Sequence, residues 1–189
     1  MQSVLLVSDR EENTVFFTEI LNAVSLKQII VVKSVGAAQK LLSERSFDLV
    51  LVNAPLPDES GESFARYIAA KGISQVILAV DSGQFDAVSA VCGADGVLTI
   101  SSPVDKATLR TALALAKSAQ NRIRHMQAEN TQLKQRIEDI RLINRAKYIL
   151  ISCLNMSEQD AHKYIERQAM DTRSTRRAVA EGILRTYEN

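Results

Sequence analysis

The residues with the clearest chemical capacity in this 189-residue chain are basic and lie in its last third. Arg141, Arg145, Lys147, Lys163, Arg167, Arg173, Arg176 and Arg177 can each contact a phosphate, and Tyr164 or His162 can stack on an unpaired base. A polyanionic partner with steep salt dependence would follow, although a solvated helical face can carry the same charges. The front of the chain has the opposite balance. Residues 1 to 116 hold 9 Lys/Arg against 13 Asp/Glu and residues 117 to 189 hold 14 against 9, so the net charge of +1 hides an acidic front and a basic back. Catalysis finds no support, because no nucleophile and base pair or Gly-rich phosphate loop is legible. His125 and His162 lack metal-ligand spacing. Cys92 and Cys153, one per half and each in apolar company, read as buried packing rather than a disulfide or metal site. No enzyme, metal or cofactor is expected. The start MQSVLLVSD has no basic leader and too short an apolar run for a signal peptide or membrane span, so a soluble, cytoplasmic chain is expected.

These basic residues follow one long element. No proline or glycine occurs between Val104 and Cys153, and Ile123, Met126, Leu133, Ile137 and Ile140 recur at heptad spacing. With Ile123 at position a, Asn130, Ile137 and Asn144 also fall at a, while Met126, Leu133 and Ile140 fall at d. An amide at a pairs best with its twin across a two-stranded parallel interface, which points to a homodimer. The alternative is a single amphipathic helix lying on its own domain. A continuous helix here would span roughly 75 Å, more than a small domain needs, so it joins two bodies. Ser102 is its expected N-cap, with Pro103 at the first helical position and Asp105 near the positive end of the dipole.

Ahead of the helix, short apolar runs alternate with helical spacings. Val4 to Val7, Ile29 to Val32, Leu49 to Val52, Val76 to Val80 and Val97 to Ile100 read as buried strands. Helices are expected where Phe16, Phe17, Ile20, Leu21 and Val24 follow a helical spacing and near 37–43, 63–70 and 85–92, with Gly72 and Gly93 as stops. Five βα units imply an α/β domain with a flavodoxin-like, doubly wound parallel sheet of order 2-1-3-4-5. Behind the long helix a small three-helix all-α domain is expected. Its first helix ends near Cys153, its second starts at Ser157 with Asp160 in a capping-box arrangement and Met156 stapled onto Ala161, and its third follows the break at 171–174. Leu142, Ile149, Leu150, Leu154, Ile165 and Ala169 can close its core, with Val179, Ile183 and Leu184 inward.

The stretch DLVLVNAPLPDESG, from Asp48 to Gly61, resembles the receiver domain of two-component response regulators. That resemblance covers residues 1 to about 116 and implies a phosphoacceptor aspartate at position 53, which here is Asn53. The acidic pair implied on the first strand is Ser8 and Asp9, Val80 stands where a Thr or Ser is implied, and no lysine occurs between Ile100 and Pro103. An amide cannot attack phosphorus, so a non-phosphorylatable pseudo-receiver used for docking a regulatory protein is expected. The tail resembles the ANTAR domain, the RNA-binding module named for AmiR and NasR. INRAKYIL at 143–150, MSEQDAHKYIERQAM at 156–170 and RRAVAEGIL at 176–184 carry the likeness. Ser152 to Asn155 replaces the common Arg-x-Gly. The whole is similar to AmiR-type antiterminators, with a receiver-like domain at 1–116, a coiled coil at 117–140 and an ANTAR domain at 141–189. The resemblance implies a dimer that binds paired hairpin loops in a nascent mRNA leader and blocks a terminator. A DNA-binding transcription factor and a protein-interaction adaptor remain as alternatives.

Overall fold

The computed structural model describes residues 2–24 and 28–187. The chain divides into two compact units, Met1–Arg124 and His125–Asn189. In the first, strands β1 (Ser3–Val7), β2 (Gln28–Val32), β3 (Leu49–Asn53), β4 (Gln75–Asp81) and β5 (Leu98–Ser102) alternate with α1 (Glu11–Ala23), α2 (Val35–Glu44), α3 (Glu62–Ala70) and α4 (Phe85–Ala94). All neighbouring strands pair in parallel in the order β2-β1-β3-β4-β5, the flavodoxin-like order expected. Because side chains alternate along a strand, each run feeds two cores. Leu5, Val7, Val50, Val52, Leu78 and Val80 pack on one face with Phe64, Ile68, Val88 and Cys92 of α3 and α4. Val4, Leu6, Leu49, Leu51, Ile77 and Ala79 pack on the other with Phe17, Ile20 and Leu21 of α1. Leu109, Ala112, Leu113 and Ala116 of α5 (Lys106–Leu154) complete that second face.

Two local expectations are corrected. Ser102 does not cap α5; it ends β5, in register with Asp81, and the helix begins only at Lys106. Asp105 takes the capping role, accepting from the backbone N–H groups of Ala107 at 2.7 Å and Thr108 at 2.9 Å. The Thr108 hydroxyl, together with these N–H groups, holds the Asp105 carboxyl below its ordinary value. Gly72 follows the end of α3 with φ +65, as a helix stop should. Gly93 instead lies in the last turn of α4, and the left-handed residue there is Gly96, at φ +84.

Contacts to the sheet persist along α5 beyond Ala116. Gln120 is buried and accepts from Gln75 Nε2 at 3.3 Å, and Arg124 pairs with Asp48 at 2.5 Å. Burial pushes the Asp48 carboxyl up, but the Gln2 and Ser3 N–H groups and Arg124 outweigh it and leave it below its ordinary value.

The second unit is helical. The C-terminal part of α5, α6 (Glu158–Asp171) and α7 (Arg176–Tyr187) enclose Ala146, Ile149, Leu150, Ala161, Ile165, Ala180, Ile183 and Leu184. Ser157 caps α6 as expected, its Oγ accepting from Asp160 N at 3.1 Å and donating to Asp160 Oδ2 at 2.6 Å. Cys153 and Leu154 do not join the core. Both are exposed where the chain leaves α5 ahead of Asn155, at φ +52, and Met156 packs against the cluster at this end.

Candidate functional site

At the carboxyl ends of the strands, the face that carries α1 and α5 continues into a row of polar residues. Ser8, Asn53, Asp81 and Ser102 extend the inward alternation of Leu6, Leu51, Ala79 and Ile100. Asn53 is 3% exposed, and its Nδ2 donates to Ser8 Oγ at 3.1 Å. The Ser8 hydroxyl in turn donates to the Arg10 carbonyl at 3.4 Å. A cleft of about 390 Å³ opens here, lined in part by Asn53, Asp81 and Ser102. Val80 is corrected as a site residue. It is buried in the core of the opposite face, because one step along a strand reverses the side chain, and Asp81 lines the cleft instead. Asp9 is exposed and does not line it.

Magnesium does not fit this row. A magnesium cage in such a cleft relies on converging carboxylates, and here the row supplies only Asp81, with the neutral hydroxyl of Ser8 and an Asn53 amide whose Nδ2 is a donor. Among the described residues no group of three or more His, Cys, Asp or Glu is placed to hold a metal.

In the helical unit the residues packed inward on α5 are Leu142, Ile143, Ala146, Ile149 and Leu150. The positions between them form an outward stripe, Arg141, Arg145 and Tyr148, spaced by four and three. Lys163, Arg167 and Met170 make a second such stripe on α6. Tyr148 is 70% exposed and Met170 77%, against 37% for Tyr164. Sequence reasoning chose Tyr164 and missed Tyr148, although its place outside the inward spacing was readable.

Several basic residues of this unit are partly committed to carboxylates, Arg167 of the second stripe among them, at 3.8 Å from Asp171. Lys147 Nζ lies 3.3 Å from Glu158, Arg176 lies 3.1 Å from Glu166, and Arg141 lies 3.1 Å from Glu138. Arg177 is the most constrained, at 2.7 Å from Asp139 and 2.8 Å from Glu181. Its hydrogen bond, with that of Gln135, holds the Asp139 carboxyl below its ordinary value, and the hydrogen bonds to Asp139 and Glu181 push the Arg177 guanidinium up. Arg173 is exposed at the α6 to α7 turn with φ +49. Thr175 accepts from Ala178 N at 3.2 Å and starts α7 beside Arg176 and Arg177.

The seam positions are solvent-facing in the single chain. Met126, Leu133, Ile137 and Ile140 are all at least half exposed, Asn130 and Asn144 are exposed, and Ile123 is half-buried. No helix among the described residues is long and apolar enough to cross a membrane.

The pattern of the ANTAR domain matches residues 131–184, which contain both stripes. The transcriptional regulatory protein PdtaR of Mycobacterium tuberculosis is 34% identical over 139 residues, 74% of this chain and 68% of that protein. Solved receiver domains are similar in fold. The signal receiver domain of an HD domain-containing protein from Pseudomonas fluorescens Pf-5 has a TM-score of 0.57 at 24% identity, covering 66% of this chain and 92% of its own. A response regulator receiver domain protein from Clostridium thermocellum has a TM-score of 0.56 at 20% identity, covering 67% of this chain and 99% of its own. A receiver fold ahead of a matched ANTAR domain, together with 34% identity to PdtaR over 74% of the chain, means that the chain belongs to the PdtaR family of ANTAR-domain transcriptional regulators.

Proposed function

We propose that this protein is a non-enzymatic, RNA-binding transcription antitermination regulator of the AmiR type. Residues 1–116 serve as a non-phosphorylatable module on which a regulatory protein docks, 117–140 as a parallel coiled coil, and 141–189 as the RNA-binding domain. Two tails of one cytoplasmic dimer grip paired hairpin loops in an mRNA leader and keep a terminator from forming.

The observation that carries this reading is the pair of outward stripes inside the ANTAR match, each joining two basic residues to one exposed large side chain. Arginine and lysine supply phosphate contacts, and Tyr148 offers a face on which a splayed loop base can stack. The docking role rests on Asn53, which has no carboxylate to accept a phosphoryl group. Incubation with a small phosphodonor is expected to leave the intact mass unchanged.

Titration of single-hairpin, double-hairpin and duplex-DNA probes against the full chain at several salt concentrations tests the RNA reading. The double hairpin is expected to bind tightest, because linking two sites raises effective concentration. Lys163→Ala/Arg167→Ala should flatten the log-log salt slope by roughly 0.7 to 0.9 per lost contact. Tyr148→Ala should cost about 1–3 kcal/mol of affinity at constant fold. Equal affinity for one and two hairpins would remove the paired site. Tighter binding to duplex DNA would replace this reading with a DNA-binding factor, and no nucleic-acid binding would leave an adaptor.

A further inference from the structure

The strand-end cleft has lost the groups for phosphoryl transfer, yet it remains open. At about 390 Å³ it lies within the range of small-molecule sites, and it sits at the carboxyl ends of the strands, where open α/β sheets bind ligands. Arg10 and Asp81 both line it and both are exposed. Among the described residues neither side chain forms an ion pair, with the other or with any third group. A cation and a carboxylate thus face one cavity without neutralising each other. Asn53, at the end of the strand between β1 and β4, also lines the cleft, and with its Nδ2 donating to Ser8 its amide keeps an acceptor oxygen. Phe16 and Val104, both half-buried, supply an apolar wall.

These groups select by elimination. A simple anion drawn to Arg10 meets the charge of Asp81, and a simple amine drawn to Asp81 meets Arg10. A neutral apolar molecule would leave both charges partly desolvated without compensation. A molecule carrying an ammonium and a carboxylate on a compact apolar body satisfies all of them. We propose that the cleft binds a small zwitterion with the chemistry of a free amino acid bearing an apolar side chain. Its carboxylate faces Arg10, its ammonium faces Asp81 and Asn53 Oδ1, and its side chain lies on Phe16 and Val104. The receiver-like unit then senses a metabolite directly. Binding is measured without RNA, so the inference stands or falls apart from the RNA-binding reading.

The experiment uses the full chain, with thermal melting and calorimetric titration against each standard free amino acid in excess. Inorganic phosphate and a simple alkylamine serve as single-charge controls. At least one apolar amino acid should raise the melting midpoint saturably, since a ligand that binds only the folded state stabilises it. Arg10→Gln and Asp81→Asn should each weaken that binding about tenfold or more, as expected for loss of a charge-assisted hydrogen bond. Neither change threatens the fold, because both side chains are exposed and Arg10 makes no side-chain cap to α1. The proposal is overturned if no amino acid shifts the midpoint, or if binding is indifferent to both substitutions. It is also overturned if phosphate alone binds, and binds more tightly to Asp81→Asn.

Discussion

The receiver-like unit and the helical tail share one polypeptide and even one helix, yet different resources hold them together. In the first, Leu5, Leu6, Leu49, Leu51, Ile77 and Leu78 are fully buried on strands flanked by helices on both faces. In the second, three of the eight buried cluster residues are alanines, Ala146, Ala161 and Ala180, and much of the fastening is ionic at the surface. A domain of the second kind is marginal by itself, as small cores supply only about 3–5 kcal/mol. The tail therefore has reason to rely on association, and the exposed seam provides a place for it.

The largest expected effect tests that reliance. Leu133 is 56% exposed in the single chain, and Leu133→Asp would put an unpaired charge into the proposed dimer seam at a cost of about 3–5 kcal/mol. Sedimentation should show a monomer, and the tail should melt earlier while the receiver-like transition stays in place. A dimeric mutant, or a parent chain that is already monomeric, breaks the comparison on the tail's side. Next come paired core truncations. Leu51→Ala and Leu150→Ala should each cost about 2–5 kcal/mol, since both residues are buried. Only Leu150→Ala should unfold its unit at 25 °C, read as lost helical circular dichroism and lost RNA binding. Equal tolerance of both would show that the tail has more reserve than its core suggests.

Smaller effects sharpen the contrast. Ser157→Ala should destabilise the tail by about 1 kcal/mol by removing the acceptor for Asp160 N, and should leave the receiver-like transition unmoved. The smallest concerns pH. Arg177 holds the Asp139 carboxyl below its ordinary value of 3.8, so this contribution to stability is present above that value and lost as pH falls through the folded-state value. Asp139→Asn should therefore lower the tail's melting midpoint at neutral pH and make little difference in strong acid. A gap that persists in acid would assign Asp139 a role other than pairing.

Most of the fold was legible because strong periodicities carried it. Continuous apolar runs marked the buried strands, and Ser157 with Asp160 marked the start of α6. Most of the misplaced details turn on a shift of about one turn or less along the chain. Ser102 and Asp105 both suit a cap, and the β5 ladder decides between them. Val80 and Asp81 differ by a single step along β4, which decides which face each side chain meets. Gly93 and Gly96 both suit a helix end, and only backbone geometry separates them. Cys153 and Leu154 looked inward by apolar character alone, and Met156 from beyond the turn packs there instead. Tyr148 was overlooked although its spacing put it outside the inward positions of α5.

The hydrogen bond between Asn53 and Ser8 also limits what a single exchange at position 53 can do. From the Asn53 amide through the Ser8 hydroxyl to the Arg10 carbonyl, every donor points the same way. An aspartate restored at 53 would set a carboxylate where a donor now stands. Ser8 would then have to turn its proton toward residue 53 and release the carbonyl of Arg10, which Thr14 also binds through N and Oγ1. The amide is thus locked in by the orientation of its neighbours, and a single exchange at 53 would disturb a run of donors that reaches the first turn of α1.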